Sequence, residues 1–98
     1  MNRTEHLLSC LAEECCEVGQ RVSKALRFGL AEVQAGQPLN NADRIVEELV
    51  DLWSVAVMLA EEGVLPPAHL WPTGNQQEAK RAKIEKFMAI SRDQGVLS

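Results

Sequence analysis

The sequence predicts an all-α protein, and three observations support that prediction. Apolar residues recur at intervals of three and four in three segments, which is the spacing of one helix face, and no segment shows the alternation of a half-buried strand. All four prolines and four of the six glycines fall in the two segments between them. With 98 residues, 46% hydrophobic and 24% charged, the chain has the size and composition of one globular domain, residues 1–98.

The first predicted helix covers residues 3 to about 28. Its apolar face consists of residues spaced three and four apart: Leu8, Leu11, Cys15, Val18, Val22 and Ala25. Within this face, Cys15 is interpreted as a small buried apolar residue. Residues 29–40 then form a connector with room for a short helical extension over residues 30–34.

The second predicted helix begins near Asn40 or Asn41 and continues to Glu62. An Asn caps the free backbone N–H groups of a first turn, and Asp43 suits the positive end of the helix dipole. Gly63 is suited to the position just after the helix, where the backbone turns left-handed.

Residues 52–60 of this helix are apolar on nearly all sides. In so small a chain one partner helix cannot cover such a segment. We therefore expect the first two helices to form an antiparallel hairpin and the second to be buried against another copy of the chain.

The last predicted helix follows a packed loop, residues 65–74, that has room for one helical turn. It begins near Asn75, where Asn75 and Glu78 have the spacing of a capping box, and ends at about Arg92. Its expected buried residues are Ala79, Ala82, Ile84, Phe87, Met88 and Ile90. The predicted fold is thus all-α: an antiparallel helical hairpin plus a further C-terminal helix, assembling into an oligomeric helical bundle.

Composition excludes several classes of function. Ten Lys and Arg against 14 Asp and Glu give a net charge of −4, which argues against a protein that grips nucleic acid through a positive field. No apolar run is long enough to span a membrane, and the first residues do not resemble an export signal. Three cysteines, two of them adjacent, do not make a disulfide framework. These features favour a cytoplasmic protein.

Two acidic pairs stand out, Glu14 with Glu17 and Glu48 with Asp51. Residues three apart lie on one flank of a helix, and on a helical wheel Glu14 and Glu48 border the apolar faces. If the two helices pack antiparallel, the four carboxylates can face one another across a shallow groove.

Four clustered carboxylates repel one another and lose solvation, so they need a counterion. Carboxylates without His or Cys ligands favour Mg²⁺ or Mn²⁺, whose coordination shell is completed by water and substrate phosphates. The alternative is that these acids are solvated helix surface, since Glu is common in helices.

The chain resembles the MazG-like, all-α nucleoside triphosphate pyrophosphohydrolases, whose mark is a Glu-x-x-Glu helix followed by a Glu-x-x-Asp helix. The matching segments are Glu13-Glu14-Cys15-Cys16-Glu17, Ser23-Lys24-Ala25-Leu26-Arg27-Phe28-Gly29, Glu47-Glu48-Leu49-Val50-Asp51-Leu52 and Lys83-Ile84-Glu85-Lys86-Phe87-Met88, the last as in small phage- and cassette-type members. The sequence departs from the family pattern at Val50, where a Gly is common.

This resemblance implies hydrolysis between the α- and β-phosphates of a nucleotide, with Mg²⁺ held by Glu14, Glu17, Glu48 and Asp51. It also implies a homodimer or homotetramer. A water attacks the phosphorus, and Glu14 or Glu17 serves as general base. The expected activity is Mg²⁺-dependent cleavage of (deoxy)nucleoside triphosphates to the monophosphate and pyrophosphate, as in cleansing of the nucleotide pool.

Four basic residues are candidates for phosphate contact: Lys24, Arg27, Lys83 and Lys86. The alternative for each is a solvated helix charge. Trp53 and Trp71 are candidates to stack on a base, although the apolar surroundings of Trp53 favour a core or interface role.

Two other functions remain open. One is a related pyrophosphohydrolase acting on phosphoribosyl-ATP or a nucleoside diphosphate. The other is a non-catalytic helical oligomerisation module. No Ser/His/Asp constellation or Gly-rich phosphate loop supports covalent or P-loop chemistry.

Overall fold

The computed structural model describes all 98 residues, and it contains helices and no strand. Helix α1 covers Arg3–Phe28, α2 covers Asn41–Glu61 and α3 covers Gly74–Asp93. A single 3₁₀ turn, Pro67–His69, lies in the loop before α3. The predicted all-α class is confirmed. None of the helices combines the length and apolar character that a membrane span requires.

The first two helices begin at asparagine caps. Asn2 accepts the N–H of Glu5 at 2.8 Å, while the Glu5 carboxylate accepts the N–H of Asn2. At the start of α2, Asn40 accepts the N–H of Asp43 at 2.8 Å, as expected. Gly63 has a φ of 75°, in the left-handed region that glycine favours just after a helix.

Two details of the helix boundaries were predicted wrongly. The capping box of α3 is formed by Thr73 and Gln76, two residues before the predicted pair of Asn75 and Glu78. Thr73 lies after Pro72 in extended backbone, which suits an N-cap, whereas Asn75 already lies within the helix. Residues 30–34 are not helical.

Helix α1 packs against α2, which is the only helix it contacts. Three polar contacts occur at different points along this pair. Arg3 forms an ion pair with Glu62, Arg21 faces Glu48, and the Asn41 amide donates to the Gly29 carbonyl. The buried apolar residues lie on these two helices: Leu7, Ala25, Ala56, Leu59 and Ala60.

The side of α1 that packs on α2 forms what we call the interhelical seam. Its residues on α1 are buried or half-buried and follow intervals of four and three: Leu7, Leu11, Glu14, Val18, Arg21 and Ala25. Two charged residues therefore occupy core-facing positions of a coiled-coil-like repeat.

The seam corrects the predicted apolar face of α1. Leu8, Cys15 and Val22 are exposed in the chain, so the interpretation of Cys15 as a buried residue is wrong. These residues lie about 100° of helix rotation away from Leu7, Glu14 and Arg21. Helix α1 thus has two adjacent lines of mostly apolar residues. Helix α2 covers the line that also contains Glu14 and Arg21.

The connector, residues 29–40, is tied to the start of α2 by hydrogen bonds. The Asn41 side chain is buried and donates to the Gly29 carbonyl at 2.8 Å, and the Asn41 N–H donates to the Glu32 carbonyl at 3.0 Å. Arg44 donates to the Gln34 side chain at 3.0 Å. These bonds hold α2 in place relative to the end of α1.

Helix α3 makes no packing contact with α1 or α2. The residues predicted to be buried on it are exposed: Ala79, Ala82, Ile84, Phe87, Met88 and Ile90. The Cα radius of gyration is 17.0 Å, whereas a compact domain of this length has one of about 13 Å. The prediction failed for the single chain because nothing in that chain folds back over α3.

Candidate metal centre

Three glutamates from two helices meet in the middle of the interhelical seam. Glu14 and Glu17 lie almost one turn apart on α1, and Glu48 lies on α2. One carboxylate oxygen from each lies within 4.8 Å of the other two. The structure thus brings together three of the four predicted carboxylates, which we call the glutamate cluster.

The cluster is partly removed from solvent. All three side chains are half-buried, and Glu14 Oε2 and Glu48 Oε2 are fully buried without a hydrogen-bond donor. A buried anionic oxygen with no partner is strongly destabilising. A positive charge near the cluster would therefore stabilise it.

The electrostatics of the cluster agree with its geometry. Burial raises the pKa of Glu14 above its usual 4.5, and the charges of Glu17, Asp51 and Glu13 raise it further. Burial likewise raises the pKa of Glu48, and the nearby Glu17 carboxyl group and the charges of Asp51 and Glu14 raise it further. The folded chain thus disfavours the ionised form of both carboxyl groups.

The donor set fits a hard divalent cation. The cluster offers only carboxylate oxygens, with no His or Cys ligand, which is the set that Mg²⁺ or Mn²⁺ prefers. A cation near the 4.8 Å triangle would give the two partnerless oxygens the positive charge that they lack.

Asp51, the fourth predicted ligand, is exposed and lies outside the close group of three. Its charge nevertheless raises the pKa of both Glu14 and Glu48. It lies along a shallow groove on the outside of α2 together with Val46, Glu47 and Val50. Asp51 thus borders the cluster on its solvent side.

The four basic candidates for phosphate contact are not gathered around the cluster in a single chain. Lys24 is half-buried and lines a cavity of about 310 Å³ with Phe28, Glu32 and Asn41. Arg27 is exposed, with its guanidinium 5.4 Å from the centre of the Phe28 ring.

The other two, Lys83 and Lys86, are exposed on α3, the helix that does not contact α1 or α2. Lys83 lines a groove of about 380 Å³ whose apolar wall includes Ile84, Phe87 and Met88. These lysines reach the cluster only if α3 is brought to it.

The two tryptophans are in contact. Their ring centroids are 4.3 Å apart with planes tilted by 56°, and Trp71 is 65% exposed. Trp53 is half-buried, and its indole Nε1 is buried without an acceptor. Trp53 lies five residues after Glu48 on α2, whereas Trp71 lies in the loop before α3.

Sequence reasoning assigned no role to Arg21, which the structure places beside the cluster. Its Nε lies 3.9 Å from Glu48 Oε1. The available signal was its spacing of four from Glu17 and seven from Glu14, which puts it on the same side of α1.

When the chain is compared with models of known families, with curated proteins and with solved structures, nothing matches it.

Proposed function

We propose that the protein is a Mg²⁺-dependent nucleotide pyrophosphohydrolase that cleaves (deoxy)nucleoside triphosphates to the monophosphate and pyrophosphate. The observation that carries the proposal is the glutamate cluster: three carboxylates within 4.8 Å, two of them with a buried partnerless oxygen. The resemblance of its two motifs to those of MazG-like enzymes supplies the reaction.

In this proposal Glu14, Glu17 and Glu48 hold the cation, and Asp51 joins them from the solvent side. A bound Mg²⁺ or Mn²⁺ polarises a phosphoryl group and lowers the pKa of a nearby water. Glu14 or Glu17, whose carboxylate oxygens lie within 4.8 Å of the other members of the cluster, accepts the proton of the attacking water.

The proposed active form is a homodimer or homotetramer built on an antiparallel pair of α1 and α2. Contact of Arg3 with Glu62 and of Gly29 with Asn41 supports that pairing, because opposite ends of the two helices are neighbours. A second copy of the chain would cover apolar surface that is exposed in a single chain. On α2 an apolar groove of about 410 Å³ contains Val46, Leu49 and Val50.

Charge favours α3 of a second copy as the occupant of that groove. Helix α2 carries five acids and one Arg, whereas α3 carries five Lys and Arg and three acids. The exposed apolar residues of α3 are flanked by Lys80 and Lys83, and the groove of α2 is bordered by Glu47 and Asp51. Such docking would bring Lys83 and Lys86 toward the phosphates of a nucleotide at the partner's cluster.

The test is a screen for pyrophosphate release over common and damaged nucleotides, phosphoribosyl-ATP and nucleoside diphosphates, with and without Mg²⁺. We expect release from at least one nucleoside triphosphate that requires the cation. We expect Glu48→Gln to lower it by at least about 100-fold, since outer-shell partners of a metal ligand alone are worth about 10–100-fold.

Glu61→Gln is the matched control, because Glu61 is an exposed glutamate on the same helix and lies outside the cluster. It should leave turnover nearly unchanged. Full Mg²⁺-dependent turnover by Glu48→Gln and by Asp51→Asn would contradict the mechanism. Product identification separates triphosphate cleavage from action on another pyrophosphate substrate.

The exposed apolar faces of α2 and α3 favour a second candidate, a non-catalytic helical oligomerisation module. Calorimetry with Mg²⁺ and a non-hydrolysable nucleotide distinguishes the two. The enzyme gives a heat of binding and metal-linked stabilisation, and the module gives neither.

A further inference from the structure

The charge of Arg21 lies inside the interhelical seam. The side chains of Arg21 and Glu48 are each 18% exposed, and Arg21 Nε is 3.9 Å from Glu48 Oε1. Val18 and Ala25, one turn away on either side, are buried or half-buried, so the guanidinium occupies a position that would ordinarily hold an apolar residue.

The guanidinium is always charged, and it is incompletely satisfied. Arg21 Nη1 is buried and has no acceptor, and the separation from Glu48 is too long for a hydrogen bond. Glu48 is the only acid that pairs with it, and a buried charge that loses its partner is strongly destabilising. Arg21 and Glu48 therefore offset each other's charge, but no hydrogen bond fixes one side chain to the other.

We propose that Arg21 is the positioning residue of the glutamate cluster: it faces Glu48 from within the seam and offsets part of the negative charge of the cluster before the cation binds. The inference rests on the proposed function, because that function assigns the cation to the cluster. The 3.9 Å separation leaves Glu48 free to ligate the cation while Arg21 stays in place.

Two consequences distinguish this role from simple packing. A positive charge that substitutes for the cation matters most when no cation is present, so the destabilisation caused by its loss should shrink when Mg²⁺ is added. The stabilising effect of Arg21 should also depend on the charge of Glu48, which a packing role would not require.

The experiment measures the midpoint of thermal unfolding of the full chain in EDTA and in saturating Mg²⁺. The variants are Arg21→Met, Arg21→Lys, Glu48→Gln and the double variant Arg21→Met/Glu48→Gln. Arg27→Met is the matched control, since Arg27 is an exposed arginine on the same helix.

In EDTA we expect Arg21→Met to lower the midpoint by about 5–10 °C, with less than half of that loss in Mg²⁺. Arg21→Lys, which keeps the charge, should retain most of the midpoint. The double variant should differ from Glu48→Gln by clearly less than Arg21→Met differs from the wild type. Arg27→Met should change the midpoint little in either buffer.

When Mg²⁺ raises the wild-type midpoint, an equal loss in Arg21→Met with and without Mg²⁺ would overturn the positioning role. Additive effects of the two substitutions in the double variant would overturn it as well. If Arg21→Met does not fold at all, Arg21→Lys decides, because a large loss in Arg21→Lys, equal in EDTA and in Mg²⁺, would show that charge is not what matters. If the proposed function is wrong, Mg²⁺ does not change the midpoint of the wild type. The interaction between Arg21 and Glu48, measured with the double variant in EDTA, still tests whether the two charges depend on each other.

Discussion

Glu14 and Glu48 are ordinary glutamates in unusual positions. Both lie in the interhelical seam, where a small chain would gain more stability from apolar side chains. Their partnerless oxygens and raised pKa values show that this position destabilises the charged form. Charge held at a cost to the fold is typical of a functional site.

The raised pKa values predict how stability depends on pH. Because Glu14 and Glu48 have a pKa above the usual 4.5 in the folded chain, the folded state binds more protons than the unfolded state between 4.5 and the raised values. Stability therefore falls as pH rises through that window. In EDTA, we expect the unfolding midpoint to be a few degrees lower at about pH 7.5 than at about pH 5.

The Glu14→Gln/Glu48→Gln double variant is the reference, because every other titrating group is common to both proteins. Its midpoint should change less between the two pH values than that of the wild type, and Mg²⁺ should raise the wild-type midpoint most at the higher pH. A wild-type pH profile parallel to that of the double variant would show that these two carboxyl groups have ordinary pKa values.

Among the helices, α3 depends most on its own termini. It has no packing contact with α1 or α2, and an isolated helix of 20 residues is marginal in water. Its start is stabilised by the reciprocal hydrogen bonds of Thr73 and Gln76, at 3.1 and 2.8 Å. Local interactions therefore weigh more in α3 than in the two helices that pack.

We predict that Thr73→Ala lowers the stability of α3 by about 1 kcal/mol, because it removes the acceptor for the Gln76 N–H. Circular dichroism should show a loss of helix signal at moderate temperature. Asn75→Ala is the matched control and should not reduce helicity, since Ala is the better helix former at a position inside the helix. If Asn75→Ala lowered the helix signal more than Thr73→Ala, the N-cap of α3 would be Asn75, as predicted from the sequence.

The chain as a whole buries few of its residues. Only six of 98 residues are buried, and large apolar side chains on α2 and α3 are exposed. A helix pair of this size buries little surface by itself, and a second copy is the simplest way to bury more.

We predict that Phe87→Asp weakens self-association of the proposed oligomer at least about 10-fold, because it puts a charge into the apolar face of α3. Phe87 is 55% exposed in the single chain and lies between Ile84 and Met88 on the groove of that helix. Light scattering with size-exclusion chromatography over a range of concentrations measures the effect.

Ala89→Asp introduces the same charge two residues further along, on nearly the opposite side of α3. It should leave the association unchanged. A wild-type chain that is monomeric at every concentration would contradict the oligomer, and equal weakening by both variants would show that this face of α3 is not the interface.

The positions of the helices could be predicted from local sequence patterns. Asn40 as the cap of α2, Gly63 after its end and the bounds of α1 depend on residues within a few positions of one another, so the sequence alone was sufficient. The acid spacing likewise pointed to Glu14, Glu17 and Glu48, because residues three apart share a flank wherever a helix forms.

Burial depended on partners that no local pattern specifies. Two apolar lines run along α1, and only packing against α2 selects the line through Glu14 and Arg21 over the one through Cys15. The rotation of the two helices also decides that Glu48 meets the α1 acids while Asp51 stays at the solvent side. Periodicity shows which residues share a helix face, but the face that becomes buried is set by contacts between residues far apart in the chain.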